Sequence, residues 1–225
     1  GHFQQFEVDI TDAEILGDIF GDFKPDAVIH FAGLKAVGEA EVKPLEYFAT
    51  NVGGSINVLQ SMEAHACNAI VFSSSATVYG HPKYLPYDEQ HPLAPVNVYG
   101  RTKFFIESII QDWAKVDEKR RGVLLRYFNP AGAHPSGEIG ENPKNIPNNL
   151  LPLINQVGIG RNQSLTVFGN DWPTPDGTGI RDYVHVMDIA EGHKAALDIL
   201  ISSKPQVLII NLGSGKGTSV LKLIQ

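Results

Sequence analysis

The feature that most constrains this chain is an alternation: short apolar runs rich in β-formers recur along it, each followed by a longer helical pattern. Asp26 to Phe31 (Asp-Ala-Val-Ile-His-Phe), Ala69 to Ser73, Val123 to Tyr127 and Val207 to Asn211 read as buried strands. Between them lie helical stretches over Thr11 to Phe23, about Pro44 to Ala66, the segment carrying Tyr99 and Lys103, and Met187 to Ile201. Strands joined through helices pair in parallel, because a parallel connection must cross the sheet and a helix is the usual crossover. The pattern therefore predicts an α/β fold on a mainly parallel sheet.

The alternation weakens after Asn129-Pro130, where residues 131–149 hold proline, glycine and asparagine at loop density. A second, smaller region is expected from there. It is read as a helix near Leu150 to Gly158, a strand over Leu165 to Phe168, a loop over Gly169 to Gly179 and a strand around Tyr183 to His185, before the helix and strand already named. At the ends, Phe6 to Asp9 reads as a strand end and Ser219 to Gln225 as a helix, so the chain is expected to be an incomplete piece of its fold.

A chain of 225 residues, 43% hydrophobic, is large enough to bury a proper core. Its net charge of −7 argues against a nucleic-acid partner, and the one basic run, Lys119-Arg120-Arg121, suits a helix end better than a phosphate groove. The single cysteine, Cys67, excludes an internal disulfide and fits a reducing compartment. No apolar run is long enough for a bilayer and no basic-then-apolar leader occurs, so a soluble, cytoplasmic chain without membrane contact is expected. Its histidines and carboxylates show no metal-ligand spacing, so no metal is expected. His30 and His185 read as packed, hydrogen-bonded histidines.

Chemistry concentrates in Tyr99-Gly100-Arg101-Thr102-Lys103. On a helix this spacing puts phenol and ammonium on one face. A phenol has a reference pKa of about 10 and is a poor base unless a cation stabilises its anion. One cation at about 4 Å is worth roughly 4 kcal/mol near a protein surface, so Lys103 can supply much of what Tyr99 needs. Ser75, last of Ser73-Ser74-Ser75 at a strand mouth, could donate to a substrate hydroxyl. It lacks the Gly-x-Ser-x-Gly elbow of a serine hydrolase. Gly213-Ser214-Gly215-Lys216-Gly217 has the wrong spacing for a dinucleotide fingerprint and reads as a turn.

Taken in order, Val8-Asp9-Ile10, His30 to Gly38, Asn51, Ser73 to Gly80, Tyr99 with Lys103, and Leu125-Arg126-Tyr127-Phe128-Asn129-Pro130 resemble the extended short-chain dehydrogenase/reductase superfamily. Within it they are similar to the UDP-hexose 4-epimerases, as are Ile146-Pro147-Asn148-Asn149-Leu150, Val167 to Asp171 and Asp176 to Val186. The resemblance implies a Rossmann-like doubly wound sheet over residues 1–130 that binds NAD, and a smaller α/β region over 131–225, with returning Rossmann elements, that binds UDP-glucose or UDP-galactose. It also implies that the family's first strand, glycine-rich loop, first helix and second strand, and the C-terminal part of the substrate region, lie outside this sequence.

The roles it implies are these. Asp9 and Ile10 would meet the adenine end of NAD; Phe31, Ala32, Gly33, Leu34 and Lys35 would line the cofactor, with Asn51 and Phe128 beside it. Ser75, Tyr99 and Lys103 would be catalytic, Lys103 also bonding the nicotinamide ribose. Lys35, Ser75, Tyr99, Phe128, Asn129, Asn149, Leu150, Thr166, Val167, Phe168 and Arg181 would meet the UDP-sugar. The family implies a homodimer through the helices around 44–66 and 97–115. Two rival activities fit less well: a 4,6-dehydratase needs an acid–base pair, and a decarboxylase a glutamate, where this chain has Ala76-Thr77. A non-catalytic NAD-sensing module and an epimerase for N-acetylated sugars remain as alternatives.

Overall fold

The computed structural model describes residues 3–141, 147, 149–202 and 206–225. In chain order they form α1 (Ala13–Phe23), β1 (Val28–His30), α2 (Val37–Val42), α3 (Pro44–Tyr47), a π-helical segment (Phe48–Gly53), α4 (Gly54–Ala64), β2 (Ala69–Ser75) and α5 (Val98–Lys115). Next along the chain are β3 (Arg121–Tyr127), β4 (Asn129–Ala131), α6 (Leu150–Gly158), β5 (Ile180–His185), α7 (Val186–Ser202), β6 (Val207–Leu212), β7 (Gly217–Ser219) and α8 (Val220–Ile224). Two compact units result, one of the chain up to Arg126 with His193–Asn211, the other of Tyr127–Gly192 with Leu212–Gln225. The change in composition along the sequence puts the division after residue 130.

The first unit is built on a four-stranded sheet in the order β1-β2-β3-β6. β1 and β2 run parallel with Val28 opposite Ile70 and His30 opposite Phe72. Every residue of β2 is buried, as expected of an interior strand covered on both faces. Leu16 and Phe20 of α1, one turn apart, pack with Val58, Leu59 and Met62 of α4, Ile106 and Ile110 of α5, and Ile70, Phe72 and Leu124 of the sheet. Asp12 caps α1 by accepting from the Ile15 amide at 3.1 Å, and Lys24 ends it in the left-handed conformation, φ 50°. Asn97 caps α5 in the same way, accepting from the Gly100 amide at 2.7 Å. That cap fixes where the Tyr99–Lys103 turn begins.

The second unit holds a three-stranded sheet, β4-β5-β7. β4 runs parallel to β5, with Asn129 opposite Tyr183, and β7 runs antiparallel to it, with Ile180 opposite Ser219. Pro130 is tolerated because β4 lies at the sheet edge. The Gly213–Gly217 segment closes on the chain's own carboxylate: Asp182 accepts from the Ser214 and Gly215 amides at 2.9 Å each and from the Ser214 hydroxyl at 2.5 Å.

Two expected strands are not formed. Phe6 to Asp9 carries no ladder, and Asp9 instead turns its carboxylate onto the Thr11 amide at 2.8 Å and the Thr11 hydroxyl at 2.7 Å. Leu165 to Phe168 has β-like composition but pairs with no described neighbour, and Phe168 is 88% exposed. The long helix expected over 44–66 is interrupted by the π-helical segment. Of the Ile146 to Leu150 run, Ile146 and Asn148 lie outside the described residues. No helix among the described residues is long and apolar enough to cross a membrane.

Candidate active site

β2 ends in Ser73-Ser74-Ser75, and α5 packs along it with Tyr99, Lys103 and Glu107 spaced four apart on one ridge. The start of α5 lies close to the turn after Ser75: a Cβ on Gly100 would stand 2.9 Å from the Thr77 carbonyl oxygen, so only glycine fits there. Lys103 is buried, and its Nζ donates to the Ser73 carbonyl at 2.8 Å, 4.8 Å from the Phe72 ring centroid and 5.8 Å from that of Tyr99. Burial disfavours its charged form and brings its pKa down to about 8, against the opposing pull of Glu107. Ser75 accepts from the Thr77 amide at 3.2 Å and the Thr77 hydroxyl at 3.0 Å. Both its lone pairs are engaged, so its own O–H is what it can offer outward.

The loop after β1 is fixed by one side chain. Asn51, in the π-helical segment and 1% exposed, accepts from the Leu34 amide at 2.7 Å and donates to the Leu34 carbonyl at 3.0 Å and the Thr102 hydroxyl at 3.1 Å. Thr102 in turn donates to the Tyr99 carbonyl at 2.8 Å. Asn51 thereby ties the loop to the helix turn that carries Tyr99. Gly33, φ +148°, passes so close that an added Cβ would stand 3.0 Å from Asn51 Oδ1. Behind it, Ser55 donates to the Asn51 carbonyl at 2.6 Å and lies 2.8 Å from His30 Nε2. Ser55 has one proton and spends it on Asn51, so His30 must be the donor, with its hydrogen on Nε2. Burial first, and the Lys103 charge second, push His30 down to about 4, consistent with a neutral ring.

The structure thus gathers Lys103, Tyr99, the Ser73–Ser75 strand end, Asn51 and Leu34 into one region of the first unit. Phe31, 58% exposed, stacks its ring 4.6 Å from that of His193, while Ala32 and Lys35 are on the same loop, Ala32 exposed. Ile10 packs on Gly54, where no Cβ would fit, and Asp9 is exposed beside it. The remaining expected residues belong to the second unit. Phe128 donates its amide to the Leu212 carbonyl at 3.2 Å, Asn129 opens β4, and Asn149 precedes α6 and donates to Glu141 at 3.2 Å. Leu150 is half-buried; Thr166, Phe168 and Arg181 lie along exposed stretches with Val167, and Arg181 donates to the Ile180 carbonyl at 2.8 Å.

Thr102 and Glu107 join the site although the motif alone does not single them out. Both carry a signal in the sequence: Glu107 continues the Tyr99–Lys103 spacing by one more turn, and Thr102 lies inside the motif itself.

The sequence matches the NAD dependent epimerase/dehydratase family over residues 2–213. It is 53% identical over 225 residues to a UDP-glucose 4-epimerase of Cyamopsis tetragonoloba, covering all of this chain and 64% of that protein. To the human UDP-glucose 4-epimerase it is 55% identical over 220 residues, covering 97% of this chain and 63% of that protein. Among solved structures, the UDP-glucose 4-epimerase of Bifidobacterium longum in complex with NAD+ and UDP superposes with a TM-score of 0.94 at 46% identity, covering 99% of this chain and 66% of that one. The chain therefore spans a little under two thirds of the length of these curated relatives. With the Rossmann-like sheet, the ordered motifs and the Tyr99–Lys103 ridge in place, this chain belongs to the NAD dependent epimerase/dehydratase family, within the extended short-chain dehydrogenases/reductases.

Proposed function

We propose that this chain serves NAD-dependent 4-epimerisation, interconverting UDP-glucose and UDP-galactose through a 4-keto sugar. The observation that carries the reading is the buried Lys103 ammonium, anchored on the Ser73 carbonyl near the Tyr99 ring. A cation held there lowers the cost of a phenolate on Tyr99, and a phenolate is what removes a proton from a sugar hydroxyl. Two relatives point the same way, since the Cyamopsis tetragonoloba and human proteins, matched over 97% or more of this chain, are UDP-glucose 4-epimerases.

The residues present fit NAD. Lys103 has three ammonium protons, of which the Ser73 carbonyl takes one, leaving donors suited to ribose hydroxyls. The Gly33–Leu34 backbone is held rigidly by Asn51, and Phe31 offers an exposed ring. When bound, NAD supplies the hydride acceptor and donor for C4 of the sugar. The chain's own residues then manage the proton. Tyr99 takes it from the 4-hydroxyl as C4 is oxidised and returns it when the ketone is reduced on its other face, while the Ser75 O–H steadies the sugar oxygen. Phe128 is assigned to the nicotinamide border, and Lys35, Asn129, Asn149, Leu150, Thr166, Val167, Phe168 and Arg181 to the UDP-sugar. Arg181 suits the pyrophosphate because its planar fork matches phosphate oxygens.

A homodimer through α3, α4 and α5 is part of the reading: Leu45 is 82% and Phe105 43% exposed, and the Phe48 and Phe105 rings lie tilted at 5.8 Å. Cytoplasmic residence suits the lone buried Cys67, and the net charge of −7 favours no nucleic-acid partner.

The test is turnover of UDP-galactose by purified protein supplied with NAD, alongside native mass spectrometry for retained nucleotide. Formation of UDP-glucose supports the assignment. NAD retention with no turnover would instead favour a nucleotide-sensing role.

A further inference from the structure

Glu107 and Arg126 take no part in the proton transfer above, yet they are among the most deeply buried side chains, 0% and 1% exposed. Arg126 donates to both carboxylate oxygens of Glu107, from Nε at 2.9 Å and from one terminal nitrogen at 2.6 Å. Its other terminal nitrogen donates to the Tyr79 hydroxyl at 3.1 Å, which donates on to Asn211 at 2.6 Å. Glu107 also accepts from the Ser74 hydroxyl at 2.5 Å. A buried ion pair is a weak stabiliser, since apolar replacements of similar volume often do as well or better. Net stability alone is therefore a weak reason for this pair.

Its placement offers a stronger one. Ser74 lies between Ser73, whose carbonyl anchors Lys103, and Ser75; Glu107 lies one turn beyond Lys103 and two beyond Tyr99. We propose that Glu107 is a positioning residue for the Lys103–Tyr99 pair: it ties the helix ridge bearing both to the strand end bearing Ser75 and sets a carboxylate one turn along from the Lys103 ammonium. The groups facing Lys103 come from several elements. From α5 come Tyr99 and Glu107, from β1 the neutral His30, from β2 the Ser73 carbonyl and Phe72 ring, from α7 His193 through the Ser73 hydroxyl, and from β3 Arg126 through Glu107. Of these, Glu107 is the one anion.

The inference deepens the epimerase reading, and its kinetic arm rests on that reading; the spectroscopic arm does not. With lysine ¹³C-labelled at the ε-carbon, the Lys103 resonance, assigned by its loss in Lys103→Met, is followed against pH in this chain without cofactor. Glu107→Gln is expected to lower its titration midpoint by about one pH unit, and Glu107→Asp to restore most of it. In the active protein, the alkaline limb of the kcat profile moves by the same amount while KM for UDP-galactose changes less than about twofold. Should Glu107→Gln fail to fold, Glu107→Gln with Arg126→Met keeps the interior neutral and lowers the midpoint by a smaller amount, because loss of the more distant Arg126 cation opposes loss of the Glu107 anion. A midpoint within about 0.2 unit of the unsubstituted chain's in folded Glu107→Gln, or in the folded double variant, overturns the proposal. A parent protein with no turnover would sink the epimerase reading and leave the titration standing.

Discussion

The two units treat their candidate site residues and the groups around them in opposite ways. In the first, Asn51, Lys103, Glu107, Arg126 and His30 are all buried and bonded within the protein. In the second, Asn129, Phe168 and Arg181 are exposed, and Arg181 donates to the carbonyl of its own neighbour, Ile180. The difference suits the task we propose for each. Proton transfer needs charges fixed in a dry setting, where each is electrostatically stronger and needs no rearrangement during reaction. Recognition of a large, flexible substrate can be left to side chains that are ordered only when it arrives.

The largest break in this contrast should come from Tyr99→Phe, which leaves the ridge packed but removes the proton carrier. Turnover of UDP-galactose is expected to fall about 100- to 10,000-fold, with the circular dichroism spectrum unchanged. Next comes Phe72→Ala beneath Lys103, fully buried in β2. It should cost about 3–5 kcal/mol in urea unfolding, and a loss below about 1 kcal/mol would mean the strand is less tightly packed than described. Asn51→Ala leaves the Leu34 amide without its acceptor and should cost about 1–3 kcal/mol, with faster hydrogen exchange confined to the loop after β1.

Acidity separates stability from activity. Lys103 holds its proton less well folded, at about 8, than at the ordinary 10.5, so the unfolded chain binds more protons between those values. Stability therefore rises as pH climbs from about 8 while turnover falls with loss of the ammonium. His30, at about 4 against 6.5, acts at the other end: stability falls as pH drops from 6.5 towards 4. Thermal melts and rates across the same buffers would show the two curves parting above about pH 8. The smallest effect sharpens the contrast from the other side, since Phe168→Ala in the exposed segment should move stability by less than about 0.5 kcal/mol.

Much of the first unit is legible in the sequence because its signals are local. Apolar runs mark the strands, and a four-residue spacing sets the Tyr99–Lys103 face. Leu165 to Phe168 misleads for the converse reason: its composition suits a ladder, but a strand exists only with a neighbour, and composition does not name one. The π-helical segment is invisible because nothing in Phe-Ala-Thr-Asn-Val-Gly distinguishes a wide turn from a regular one. Arg126 is visible but easily left unread. An arginine inside Val-Leu-Leu-Arg-Tyr, a run otherwise destined for the interior, demands a buried carboxylate, and Glu107 is the residue that supplies it.

That wide turn gives the helix spanning 44–64 a change of phase. Each helical residue advances the direction of its side chain by about 100°, so the extra residue resets the angle between side chains before Gly54 and those after it. Within the wide turn, Asn51 points at Leu34; beyond it, Val58, Leu59 and Met62 point at the core. Deleting one residue from Phe48–Gly53 would leave the neighbouring side chains chemically intact, yet loop and core could no longer both be satisfied by one rigid rod. A length change of one residue there should prove more damaging than most substitutions.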